Sequence, residues 1–395
     1  MVKFLPFAVA ALIAALPVSA VAECGGLRGT GDLGLVIERA DGAVQVVDTT
    51  RRRALCTVTG LGDLSHASLV FSRDGRFAYV FGRDGGLSKV DVLTGTLVKR
   101  VTQAGNAIGG AISQDGRLVA VSNYEPGGVR VFDAATLEML ADIPAIAADG
   151  SRGKVVGLVD APGLGFVYAL YDAGEIWVAE MGKDATAPKL TKFTGIGRLP
   201  YDGMVTPDGR YYAAALFGED GVALLDLWNL DKGVRRILDG YGKGEQPLPV
   251  YKMPHLGGWS TAGRLAFVPA VGRHEVLVVD QKTWEEVGRV AVYAQPVFTT
   301  ARPDGRQVWV NFAHPHNDTV QVIDVPTRTV VQTLKPGPAV LHIEFSPRGE
   351  HAWVSVRDSD EVQVYDTRSF DKLASLPARK PSGIFFTARA NRVGY

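Results

Sequence analysis

The chain has 395 residues, 46% hydrophobic and 21% charged, a globular balance that excludes a disordered chain. Lys+Arg and Asp+Glu both number 42, so the net charge is zero and the basic footprint of a nucleic-acid binder is missing. Glycine is frequent, at 46 residues, against a usual ~7%. The lack of a strict period of three excludes collagen, and the accompanying Val, Phe and Tyr indicate short strands joined by tight turns.

Lys3 gives a positive start, the run from Phe4 to Ala22 carries no charge, and small residues close it at Ala20 and Ala22. This pattern predicts a secretory signal peptide over 1–22, cleaved after Ala22. Glu23 precedes Cys24 where a lipoprotein needs a small residue, which argues against a lipid anchor. No later stretch reaches the ~18–20 apolar residues of a membrane span. The mature chain, 23–395, is therefore expected to be exported and soluble. The only cysteines are Cys24 and Cys56. In an oxidising compartment they either form one disulfide or stay as two thiols, and no CxxCH haem-attachment motif occurs.

From residue 42 onward one motif recurs. GAVQVVD, GLSKVD, GGVRVFD, GEIWVAE, GVALLD, HEVLVVD, DTVQVID and DEVQVYD end at Asp48, Asp91, Asp133, Glu180, Asp226, Asp280, Asp324 and Asp366, at spacings of 42 to 54 residues. Upstream of most copies two alternating apolar segments flank a glycine turn, as in LVFSRDGRFAYVF and AISQDGRLVAVS. Each copy reads as four strands: an inner strand, an Asp-Gly turn, a second strand, a loop, a third strand ending in the acidic residue, and an outer strand. Eight such units predict an all-β, eight-bladed β-propeller. The recurring acidic residues are read as strand ends that start turns. The first unit lacks an inner strand, and a surplus strand follows the last unit at Gly383–Ala388. The C-terminal strand is thus expected to complete blade one and close the ring.

In such a ring the loops leading into each blade and the loops before each acidic motif share one rim, the top. His66, His255, His274, His314 and His316 fall there, as do Arg39, Arg83, Arg273 and Arg357, with Tyr124, Tyr201 and Trp259 nearby. His342 lies within an inner strand and His351 follows a bottom turn. Guanidinium groups grip carboxylates bidentately, and aromatic rings offer flat surface. The set suits a planar ligand bearing carboxylates, such as an iron tetrapyrrole with a histidine as axial ligand. His314-Pro315-His316 has no second cluster near it for a metal site. No nucleotide-binding or nucleophile motif stands in a fitting context.

The stretches HASLVFSRDGRFAYVFGRDGGLSKVD, AVSNYEPGGVRVFDAATLE and KPSGIFFTARANRVGY carry a resemblance to the haem d1-binding propeller of cytochrome cd-type nitrite reductase and, more closely, to the haem d1 biogenesis family. It covers most of the mature chain. The resemblance implies that His66 matches the proximal ligand of the haem iron. His255, in HLGG, matches a distal histidine and is the candidate proton-transferring residue. The remaining binding set is Arg39, Arg83, Arg273, Arg357, Tyr124, Tyr201 and His314. The loop VYAQPVF lacks the reductase's second distal histidine, and the c-haem domain is absent, which argues against nitrite reduction. What the resemblance implies instead is a periplasmic protein that binds haem d1 or a late precursor. It acts either as an oxidoreductase on tetrapyrrole side chains or as a carrier delivering haem d1 to nitrite reductase. Nitrite reductase and other haem d1 biogenesis proteins are the implied partners.

Overall fold

Each repeat folds as an antiparallel sheet whose middle strands, such as Leu33–Glu38 and Ala43–Asp48, are buried along their whole length, whereas its outer strand, such as Thr329–Leu334, alternates exposed and half-buried residues. The computed structural model describes Cys24 and residues 29–161, 163, 165–243 and 258–389. The proposed signal peptide and His255 lie outside the described residues. Eight four-stranded antiparallel sheets form. Blade one holds Leu33–Glu38, Ala43–Asp48 and Arg53–Val58, and blades two to eight follow in chain order. Their inner strands are Ser68–Phe71, Asn106–Ile112, Val155–Ala161, Pro200–Val205, Ser260–Ala262, Pro296–Ala301 and Val340–Phe345. Among the described residues no helix is long and apolar enough to cross a membrane.

All eight acidic positions end the third strand of a blade. The seven aspartates accept backbone N–H groups of the turn that follows, whereas Glu180 pairs with Lys189 at 3.2 Å. Asp133 accepts the N–H groups of Ala135 at 2.9 Å and Thr136 at 2.7 Å, and Asp366 those of Arg368 and Ser369 at 2.8 Å each. Arginines from the glycine turns pair with the same residues, Arg76 with Asp91 and Arg210 with Asp226, both at 3.0 Å. Between blades the packing is apolar. Trp309 of blade seven stands edge-on to Phe345 of blade eight at 5.7 Å, and both are buried.

The ring closes as expected. Strand Pro381–Phe386, which begins two residues earlier than the sequence indicated, pairs antiparallel with Leu33–Glu38 and completes blade one. Gly34 lies opposite Phe386, whose ring sits where a Cβ would stand, 2.4 Å from that position. Only glycine admits this approach. Cys24 and Cys56 are disulfide-bonded with Cα atoms 5.5 Å apart, so the described N-terminus is tied to the outer strand of blade one.

Glu38 is buried at this closure and accepts the Arg379 N–H at 2.9 Å. Burial raises its pKa above 4.5 despite that hydrogen bond. A raised carboxyl pKa means that the ionised form is disfavoured on folding. Glu38 therefore contributes most below about pH 4.5, and that contribution is lost as pH rises through the folded value. Glu38→Gln keeps the acceptor and removes the charge. Its melting temperature is expected to match the parent's near pH 4 and to exceed it at pH 7. Equal melting curves at both pH values would refute this.

Candidate functional site

A central channel of ≈ 770 Å³ lies inside the ring, lined by the inner strands and by turn residues such as Pro303 and Asp304. Register shifts interrupt the pairing of the inner strands of blades one, three, four, five, seven and eight. Such bulges re-aim side chains. His342 and Glu344 of blade eight and Ser68 of blade two face the bore. The His342 Nδ1 accepts the Ile384 N–H at 2.7 Å, which puts the proton of the neutral ring on Nε2.

At the top, His66 is buried in the loop leading into blade two. Both neighbouring blades hold that loop. Arg39 of blade one donates to the Ser65 carbonyl. The Arg83 N–H donates to the Asp63 carbonyl at 2.8 Å, and Asp84 accepts the Asp63 N–H at 3.1 Å. The Asp63 carboxylate accepts the Ser65 N–H at 2.8 Å.

Arg39, Arg83 and Arg357 come together from blades one, two and eight. Burial lowers the Arg39 pKa, and the charges of Arg357 and Arg83 lower it further, against Asp63 and Asp358. Arg357 is gripped by both Asp358 oxygens, at 2.8 and 2.9 Å. That pairing raises the Arg357 pKa and lowers that of Asp358. Like charges gathered at a half-buried position repel one another, and an anion placed among them relieves the repulsion.

Arg273 is not in this group. It is exposed, with its guanidinium 4.6 Å from the centre of the Tyr241 ring, which Arg289 also approaches at 4.3 Å. His314 and His274 are exposed in the top loops of blades seven and six. His316 meets the Tyr293 ring at 5.1 Å.

Blades three to five supply an aromatic cluster. The hydroxyls of Tyr124 and Tyr201 are 3.1 Å apart. Tyr201 stacks on Phe217 at 4.6 Å and meets Tyr171 edge-on at 5.5 Å. Burial pushes the Tyr124 phenol up to about 12 and raises Tyr201 further; the charge of Asp202 adds to both.

Sequence reasoning missed Asp202. It sits at the bulge of the blade-five inner strand with φ of 50°. Among the described residues it is the one non-glycine residue with a left-handed φ inside an inner strand. The Tyr212 hydroxyl donates to the Gly157 carbonyl at 2.8 Å, and a Cβ on Gly157 would lie 2.6 Å from the Gly203 nitrogen. Blades four and five are thereby pinched together around Asp202. Asp202 borders both the channel and a small apolar side cavity of ≈ 70 Å³ walled by Phe217, Trp259 and Phe298. Its one sequence signal is a charge before glycine inside an apolar inner strand.

Comparison with known proteins adds the following. The cytochrome d1 haem domain family model matches residues 28–390. Protein NirF of Pseudomonas aeruginosa is 61% identical over 370 residues, which is 93% of this chain and 94% of that protein. A dihydro-heme d1 dehydrogenase of the same organism is 30% identical over 373 residues, 92% of this chain and 72% of that protein. The solved structure of dihydro-heme d1 dehydrogenase NirN in complex with DHE superposes with a TM-score of 0.78 at 28% identity. That match covers 95% of this chain and 78% of the other.

Proposed function

The chain belongs to the cytochrome d1 haem domain family and is similar to its NirF members along nearly its whole length, and from that premise we propose that it binds haem d1, or a late precursor of it, at the top of the propeller during haem d1 biosynthesis. The observation that carries this reading is the convergence of Arg39, Arg83 and Arg357 beside the buried His66 loop. The donor set fits the ligand. Guanidinium groups hold carboxylates, His66 supplies an imidazole for iron, and Tyr124 and Tyr201 offer flat walls. Bound iron tetrapyrrole supplies redox capacity. The chain's own residues bind it, orient it and shield it from water.

The similarity to a dihydro-heme d1 dehydrogenase supports an oxidative step on a tetrapyrrole side chain, made for nitrite reductase in the periplasm. In this reading His255, assigned from sequence alone, exchanges a proton with the bound substrate. The test incubates the purified protein with a late haem d1 precursor and an electron acceptor, then analyses the product by mass. Loss of hydrogen from the precursor is the expected result. Tight binding with an unchanged ligand would favour the carrier, which hands haem d1 to nitrite reductase.

Each sheltered charge-assisted pair contributes ~1.5–3 kcal/mol. Arg83→Ala and Arg357→Ala are each expected to weaken tetrapyrrole binding about tenfold or more. Arg273→Ala, whose guanidinium rests on Tyr241, serves as the contrast and should change it less than about threefold. Spectral titration measures all three, and equal losses would remove the distinction.

A further inference from the structure

We propose that the apolar side cavity between blades five and six takes one short, carboxyl-tipped side chain of the tetrapyrrole, with the Tyr241 hydroxyl as hydrogen-bond donor to the carboxyl group. This deepens the tetrapyrrole reading given above and rests on it.

The walls of the cavity are apolar: Leu238, Val268, Leu277 and Val297 stand beside the aromatic residues named above. At ≈ 70 Å³ it has roughly half the space of the ~150 Å³ apolar cavity that admits benzene, which leaves room for about three carbons and a terminal group. One hydroxyl is set into these walls. The Tyr241 Oη is buried and has no hydrogen-bond partner among the described residues. A buried donor left unmade is costly, and a ligand that brings an acceptor removes that cost. The Tyr241 ring is held in place, with the Arg273 and Arg289 guanidinium groups 4.6 and 4.3 Å from its centre. Its backbone is held too. The Gly221 N–H donates to the Tyr241 carbonyl at 3.2 Å, and the Gly272 N–H to the Gly242 carbonyl at 3.3 Å. The donor is thus fixed before any ligand arrives.

Position selects the ligand. The cavity shares Trp259 and Phe298 with the central channel, so its inner end meets the bore. With the blades taken in chain order, five and six lie across the ring from one and two, which carry Arg39 and Arg83. A flat ligand gripped there by one edge presents its opposite edge to this cavity. Charge selects the group at the tip. The charged residues of the lining are Asp202 and Lys243. Asp202 stands on an inner strand, at the channel side, whereas the Tyr241 ring reaches Arg289 on Glu285–Ala291, the outer strand of blade six. A chain of about three carbons carries its tip past the channel side to the Tyr241 end. There a carboxylate meets the donor hydroxyl, and Lys243, just beyond Tyr241 in the chain, offsets the burial of its charge. A hydrocarbon tip would leave the hydroxyl unmet.

The test compares two iron(III) porphyrins by spectral titration. One is protoporphyrin IX, with vinyl groups opposite its two propionates. The other is the tripropionate in which one of those vinyls is replaced by a propionate. The parent is expected to bind the tripropionate about tenfold more tightly. Tyr241→Phe keeps the ring beside both arginines and keeps every charge, so a general attraction for a third carboxylate survives in it. It is expected to erase most of the preference and to leave protoporphyrin affinity within about twofold. Its melting temperature should not fall, because the hydroxyl it removes has no partner to lose. Ala215 lines the cavity, and Ala215→Leu, which fills it, is expected to abolish the preference as well. Equal affinities in the parent, a preference that survives in either folded variant, or a melting temperature that falls in Tyr241→Phe overturns the inference and leaves the tetrapyrrole reading standing. If the parent binds neither porphyrin, both are overturned.

Discussion

A chain ending at Lys380 is expected to be recovered as aggregate, whereas a chain ending at Arg389 stays soluble. The shorter chain loses Ile384, Phe385 and Phe386, all buried. At ~1.5–3 kcal/mol for each buried side chain the loss is roughly 5–9 kcal/mol. That is comparable with the 5–15 kcal/mol that holds a typical protein folded. The truncation also strips the hydrogen-bonding partner from Leu33–Glu38 and leaves an apolar strand edge open to another chain. Size-exclusion chromatography and thermal melting decide the matter. A truncated protein that stays monomeric with an unchanged melting temperature would show that the ring does not depend on this strand.

His66→Ala is expected to change the spectrum of the bound iron tetrapyrrole and to weaken binding by at least about tenfold. The buried side chain sits in a loop fixed from two blades, through the Arg39 bond to Ser65 and the Arg83 bond to Asp63. A loop so held would give an iron-binding imidazole a defined position. His255→Ala is expected to affect turnover more than binding. Bands of His66→Ala identical to the parent's would exclude His66 as a ligand.

The architecture was legible because its cause is local and repeated. Eight acidic strand ends, the glycine turns before them and a surplus final strand all report backbone hydrogen-bond demands, and the folded chain meets each of them. The disulfide was not decidable from spacing, since pairing depends on how two distant backbones approach. The site was legible by level but not by direction. Loop position puts Arg39, Arg83, Arg273 and Arg357 on one rim, yet Arg273 turns to Tyr241 because a ring already flanked by Arg289 gives its cation a surface. Asp202 was hidden because a bulge shifts register within a strand, and nothing in a period-two pattern announces where the shift falls.

The union of the first and last strands in one blade also dictates when the molecule can become itself. The Thr387 hydroxyl bonds the Leu33 carbonyl across 354 residues of sequence. Contacts this distant impose a high contact order and slow folding. Blade one must wait for the whole polypeptide, so a chain emerging N-terminus first from the ribosome cannot lock its ring while any of blade eight remains unmade. Completion of the fold is thereby coupled to the arrival of the final residues, and a chain stalled in synthesis stays open, unfoldable as a ring and within reach of proteases.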